Sequence, residues 1–248
     1  MKMGPLTYLQ MIAMRLDFFI ANGTHLSRKE AKKAIAAGEV QIDGKVCRKA
    51  GQIVDGSETI SLGDQTVTLK SYRYLMLHKP LGTLSATRDA AQPTVMDLLP
   101  AAKRVGLHCV GRLDKDTSGL LLLTDDGDWS HQITSPRYQC PKRYLAELAD
   151  PINPEDLEPL TNGIMLRNDP ALARAQAVQW IDSQTVEISV TEGRYHLIRR
   201  MIAAIGNRVT ALHRVSIGGL QLDQRLSEGE WRPLAPEEVA LLADTRKP

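Results

Sequence analysis

The rhythm of apolar and polar positions changes once along the chain, close to residue 70. Ahead of that point Leu16, Phe19 and Ile20 fall at helical spacing. Ser27 stands three residues before Glu30, a capping box that opens a second helix over Arg28 to Ala37, and Gly38 closes it. Val40-Gln-Ile42, an Asp43-Gly44 turn and Lys45-Val46 then read as a hairpin, with further alternation at Ile53, Val54, Ile60, Leu62, Val67 and Leu69. Two short helices followed by small strands predict a module over 14–72.

Beyond the polar join Thr68 to Arg73 the elements lengthen. Strands are predicted over Tyr74 to His78, Leu107 to Val110, Gly119 to Thr124, Arg143 to Leu148, Ala173 to Trp180, Thr185 to Val190 and Val209 to Ile217. Helices fall at Thr94 to Leu99, Trp129 to Thr134, Pro154 to Asn162 and, with an amphipathic stripe, Arg194 to Ile205. Adjacent strands with helices inserted irregularly favour an α+β domain over 73–248, built on a mixed, largely antiparallel sheet.

Composition narrows the class. With 43% apolar and 24% charged residues the chain is an ordinary globular protein. Cys47, Cys109 and Cys140 include no CxxC pair, so neither a disulfide framework nor a zinc site of usual spacing is expected, and a reducing cytoplasm is the natural compartment. The longest apolar runs fall far short of the ~20 residues of a membrane helix, so no membrane partner is expected. Met1 to Met14 lacks the features of a secretory signal.

Net charge is only +2, but it is unevenly placed. Between Arg15 and Ala50 eight basic residues (Arg15, Arg28, Lys29, Lys32, Lys33, Lys45, Arg48, Lys49) face four acidic ones. A second basic cluster, Arg194 to Arg214, holds five arginines and no carboxylate. Two such patches on a near-neutral body point to a polyanion, and the cations of the 28–37 helix to nucleic acid.

The segment Gly111-Arg-Leu-Asp-Lys-Asp-Thr-Ser-Gly-Leu-Leu-Leu-Leu-Thr124 sets charged residues directly against a buried strand. A carboxylate there stays ionised only with cations or donors nearby, and an oriented, ionised Asp is a nucleophile or general base. Asp114, Asp116 and Ser118 before Gly119 imitate the start of a calcium loop, but Leu122 and Asp125 occupy its later ligand positions and a four-leucine strand fills the space. No phosphate-binding glycine loop occurs either.

This segment, with Leu77-His-Lys-Pro80, Lys142-Arg-Tyr144 and Glu192-Gly-Arg-Tyr-His-Leu-Ile-Arg-Arg-Met201, resembles the pseudouridine synthases that modify ribosomal RNA. The N-terminal module resembles the small alpha-L RNA-binding domain that such enzymes carry. The resemblance covers nearly the whole chain from Met14 and implies an isomerase that needs no cofactor or metal. It makes Asp114 the catalytic aspartate, with Asp116 a lesser neighbour, and matches Tyr144 to the residue stacking on the target base. It matches Arg199 to the cation that pairs with the aspartate, Leu212 to the apolar pocket wall, and Arg112, Arg200 and Arg214 to substrate contacts. Arg15, Ser27, Arg28, Lys29, Lys32, Lys33 and Arg48 are the residues expected to grip RNA. His196 and His213 sit among basic residues that would serve phosphates, and Cys109 reads as a buried small hydrophobe.

Ser135 to Leu145 and Glu192 to His196 look most like the branch acting on small-subunit (16S) RNA, where large-subunit relatives tend to have Asn-Arg in place of Tyr195-His196. The implied partner is ribosomal RNA or a partly assembled small subunit, bound by a monomer. Two alternatives stand beside this reading: a large-subunit (23S) synthase and a non-enzymatic rRNA-binding or assembly factor. The leader Met1 to Ala13 falls outside the family pattern and suggests Met14 as the start.

Overall fold

The computed structural model describes residues 13–55, 57–69 and 72–243; the leader up to residue 12 lies outside the described residues. The chain forms two compact units that meet between Tyr72 and Arg73.

In the first unit, helices Leu16–Gly23 and Arg28–Ala37 pack over a four-stranded sheet ordered Lys45–Val46, Val40–Ile42, Ile60–Leu62, Gln65–Thr66. The capping box is in place: Ser27 Oγ accepts from the Glu30 amide and the Glu30 carboxylate accepts from the Ser27 amide. Leu16, Phe19, Ile20, Ala31 and Ile35 turn inward with Val40, Val54, Ile60 and Val67 to form the core. The Asp17 side chain is fully buried, and Arg15 (3.0 Å), Arg28 (3.3 Å) and Lys32 (3.7 Å) converge on its carboxylate.

The second unit is organised by one long sheet. Its order is Ala177–Asp182, Thr185–Val190, Lys142–Leu148, Val209–Ile217, Ser118–Thr124, Tyr74–Lys79, Trp231–Pro233, with His108–Cys109 and Leu220–Gln221 pairing off that path. Neighbouring strands run antiparallel except at one place, where Val209–Ile217 meets Ser118–Thr124 in parallel through His213↔Ser118 and Arg214↔Gly119. This short seam joins a left half with one core and a right half with two. Helix Leu197–Ala204 buries Leu197, Ile198, Met201 and Ile202 against the left half.

The Ser118–Thr124 strand explains the right half. Its side chains alternate between faces, so Leu120 and Leu122 enter one core with Trp129 and Ile133, while Leu121 and Leu123 enter another with Val95, Met96 and Leu99. Both faces being covered, every position of the strand is apolar-compatible, as its sequence suggested.

Several bounds differ from expectation. The helix predicted from Arg194 begins at Leu197, because His196 takes a left-handed backbone conformation (φ 49°) that ends the preceding loop. The strand predicted from Ala173 begins at Ala177, Ala173 forming only an isolated bridge with Ile164. The Leu107 to Val110 strand shortens to His108–Cys109. Strand Trp231–Pro233 and helix Pro236–Ala243 were not foreseen: the acidic residues of that stretch conceal Val239 and Leu242, which close the core under Leu120.

Candidate active site

Asp114 lies in the loop that enters the Ser118–Thr124 strand, and that loop is fastened from several directions. Ser85 Oγ donates to the Leu113 carbonyl and accepts from the Leu113 amide, at 2.8 and 3.0 Å. The Gly82 amide donates to the Lys115 carbonyl, and Lys79 Nζ to the Thr117 carbonyl at 2.9 Å. Arg199, arriving from the Leu197–Ala204 helix, donates to the Asp116 carbonyl at 2.9 Å, pairs with the Asp116 carboxylate at 2.9 Å, and donates to the Val209 carbonyl.

This corrects the expected Asp114–Arg199 pair. Arg199 clamps the residue two places further on, and the groups around Asp114 come from elsewhere. His196 Nε2 stands 3.7 Å from Asp114 Oδ1. Lys79, wholly buried behind the loop, has its ammonium lowered to about 8 by burial, against the opposing pull of Asp114 and then Asp116. The Asp114 side chain keeps 34% exposure, so it faces an opening.

That opening is a cavity of about 310 Å³. Arg112, Asp114, Tyr144, Arg199, Leu212 and Arg214 all line it, residues drawn from the loop, two strands and a helix spread over a hundred positions. Tyr144 packs against the left core and one of the two right-hand cores, which places its ring at the seam. Its hydroxyl accepts from Arg214 Nη1 at 3.3 Å, and Arg214, only 3% exposed, also donates from Nε to the Leu120 carbonyl at 2.7 Å. Arg199 Nε and Arg214 Nη2 are buried and have no acceptor among the described residues.

The seam requires Gly119: its φ is +106°, and a Cβ there would fall 2.6 Å from the Arg214 amide nitrogen and closer still to the Arg214 carbonyl. Arg200 is absent from the cavity lining. It reaches Asp169 at 3.2 Å and the Arg167 carbonyl at 3.1 Å, sharing Asp169 with Arg194. His213 is a structural residue, its Nδ1 2.8 Å from Ser118 Oγ and its imidazole kept below the ordinary histidine value chiefly by burial. Burial raises the Cys109 thiol to about 11, which fits a packed hydrophobe rather than a nucleophile.

Residues 73–204 match the RNA pseudouridylate synthase family and residues 14–60 match the S4 domain. The chain belongs to the RNA pseudouridylate synthase family. The synthase is 41% identical over 228 residues to the ribosomal small subunit pseudouridine synthase A of Pasteurella multocida (strain Pm70), covering 92% of this chain and 98% of that one. It is 42% identical to the Escherichia coli (strain K12) protein of the same name, covering 92% and 99%. A crystal structure described as a pseudouridylate synthase aligns with a TM-score of 0.68 and 40% identity, over 92% of this synthase and 99% of that chain.

In the S4 unit, three of the cations expected to grip RNA are those gathered on Asp17, and Ser27 is the helix cap. Arg48 donates from Nη1 to the Ala36 carbonyl at 2.7 Å, where a cation is favoured at the end of a helix, while remaining exposed. Lys29 and Lys33 are exposed on the same helix. Sequence reasoning passed over Asp17 and Lys79. The first signal was an acid set in the apolar face of a helix within a cation-rich segment, the second a lysine closing an apolar strand. No helix among the described residues is long and apolar enough to cross a membrane.

Proposed function

We propose that the synthase converts one uridine of small-subunit ribosomal RNA to pseudouridine, with Asp114 as the catalytic carboxylate and Tyr144 as the ring that receives the base. The observation carrying this reading is the meeting of Asp114, Tyr144 and Arg112 on one cavity, of about 310 Å³, near the lower limit of ordinary ligand pockets of ~300–1,000 Å³. The small-subunit target rests on the names of the relatives and on Tyr195-His196, which stand at the cavity rim.

The chemistry sets three demands: the N1–C1′ bond must open, the freed uracil must turn without escaping, and C5 must be joined to C1′ while its hydrogen leaves as a proton. Extruding the uridine first costs a few kcal/mol. Stacking on Tyr144 offsets ~1–3 kcal/mol of it. Asp114 serves the sugar side, with His196 at 3.7 Å and the Lys79 ammonium behind it. Arg112, exposed at the cavity edge, suits the phosphate of the extruded nucleotide. The S4 unit supplies sequence-independent phosphate contacts through Arg15, Arg28, Lys29, Lys32, Lys33 and Arg48.

The test is a map of pseudouridines in ribosomal RNA from cells lacking the protein. Loss of one small-subunit site is expected. Loss confined to a large-subunit site would move the target, and loss of none would leave an rRNA-binding factor. In vitro, Asp114→Asn should release no tritium from [5-³H]uridine RNA while holding RNA within about twofold of wild type; turnover by this variant would remove Asp114 from its role.

A further inference from the structure

Tyr195 is the most exposed aromatic side chain among the described residues, at 72% against 42% for Trp180. Its ring is not loose. It lies on the His196 imidazole with centroids 3.8 Å apart and planes inclined by 17°. His196 in turn presents Nε2 to Asp114 at 3.7 Å, so the stack runs from solvent at the cavity rim to the carboxylate within.

The backbone beneath it is fixed. Arg194 donates to the Ala171 and Leu172 carbonyls at 3.0 and 2.9 Å and pairs with Glu192 and Asp169. Arg200 reaches the Tyr195 carbonyl at 3.5 Å and pairs with the same Asp169. His196 holds a left-handed φ of 49°, a conformation a non-glycine residue keeps only where its surroundings impose it. Four charged side chains and a strained residue thus hold one tyrosine ring out in water. Such an arrangement adds nothing to the core, and it leaves one broad π-face free.

We infer that Tyr195, backed by His196, is a stacking site for the unpaired RNA base adjoining the target uridine. The inference rests on the cavity being the seat of an extruded uridine. Extrusion removes a stacking partner from each neighbouring base, and Tyr195, exposed while lining the cavity, stands at its rim. A nucleobase is the occupant favoured here because the fit needed is a flat ring against a flat ring, which is tolerant of sequence. Arg200, expected to contact substrate directly, acts instead as a positioning residue for this platform.

The experiment uses the full-length synthase and short single-stranded RNAs with 2-aminopurine on the 5′ or the 3′ side of a single uridine. Binding to wild type should quench 2-aminopurine strongly on one side only. Tyr195→Ala should abolish that quench and weaken binding by about 5- to 150-fold. Tyr195→Phe should keep both, and Tyr195→Leu, apolar but unable to stack, should not. Melting curves matching wild type show that the variants are folded, and Tyr195→Trp, which enlarges the face, should bind at least as tightly as wild type. Affinity of Tyr195→Ala within twofold of wild type, or equal quenching on both sides by every variant, would overturn the inference. Tritium release by wild type on ribosomal RNA is measured separately: its absence would sink the proposed activity, whereas normal release with unaltered Tyr195→Ala binding would sink the platform alone.

Discussion

Lys79 offers a measurement whose sign and size follow from its surroundings. The side chain is wholly buried at the end of the Tyr74–Lys79 strand and donates to the Pro80 and Thr117 carbonyls at 3.0 and 2.9 Å. Burial takes its ammonium from the ordinary 10.5 to about 8. At ~1.36 kcal/mol per pH unit, folding with this group charged costs about 3 kcal/mol. Below pH 8 both folded and unfolded chains hold the proton, so the whole penalty is present. Between 8 and 10.5 the unfolded chain binds more protons than the folded one, so stability rises with pH, and above 10.5 the penalty is gone. Lys79→Met removes the charge but strands two carbonyls, at about 1–3 kcal/mol each, so near pH 7 the two effects nearly cancel. The pH dependence does not cancel. Urea unfolding of wild type and variant between pH 7 and 10 should show wild type gaining about 2 to 3 kcal/mol relative to Lys79→Met over that interval. Parallel profiles would mean that Lys79 is not a desolvated cation in the folded protein. Turnover by the variant should also fall, since Asp114 loses the charge behind it.

Two further outcomes are expected. Asp17→Asn should lower stability by about 1–2 kcal/mol, between the values for exposed and for broken buried pairs, because its three partners remain half-exposed. The Arg15 hydrogen bond, chief among the causes, holds the Asp17 carboxyl below the usual carboxylate range. Its stabilisation is therefore complete above that range and fades as pH falls through the lowered value, so melting curves of the two proteins should converge near pH 2 and separate at pH 6. Arg199→Met should free the Asp116 turn and slow single-turnover tritium release by about 100-fold, with RNA affinity nearly unchanged; a loss of affinity equal to the loss of rate would assign Arg199 to binding instead.

Local signals carried far in this chain. The Ser27–Glu30 capping box, the four leucines before Thr124 and the strand from Val209 to Ile217 were legible because each depends on neighbours in sequence. The gathering of Asp114, Tyr144, Leu212 and Arg214 was reached only through motif resemblance, since nothing in a linear pattern states that Tyr144 will sit beside Arg214 in the sheet. The partner of Arg199 was misjudged for a related reason. Which acid of the 114–116 turn meets Arg199 depends on how Ser85, Gly82 and Lys79 hold that turn, contacts from about 30 to 40 residues upstream. Asp17 escaped notice because a carboxylate among cations reads as a surface charge until its burial is seen.

The two-residue parallel seam has a temporal meaning for the cell. Asp114 belongs to one half of the sheet, while Leu212 and Arg214 belong to the strand that must arrive beside Gly119. A nascent chain still short of residue 217 has its aspartate but lacks the strand that closes the chamber beside it, so reactivity waits for that strand to be made and to dock.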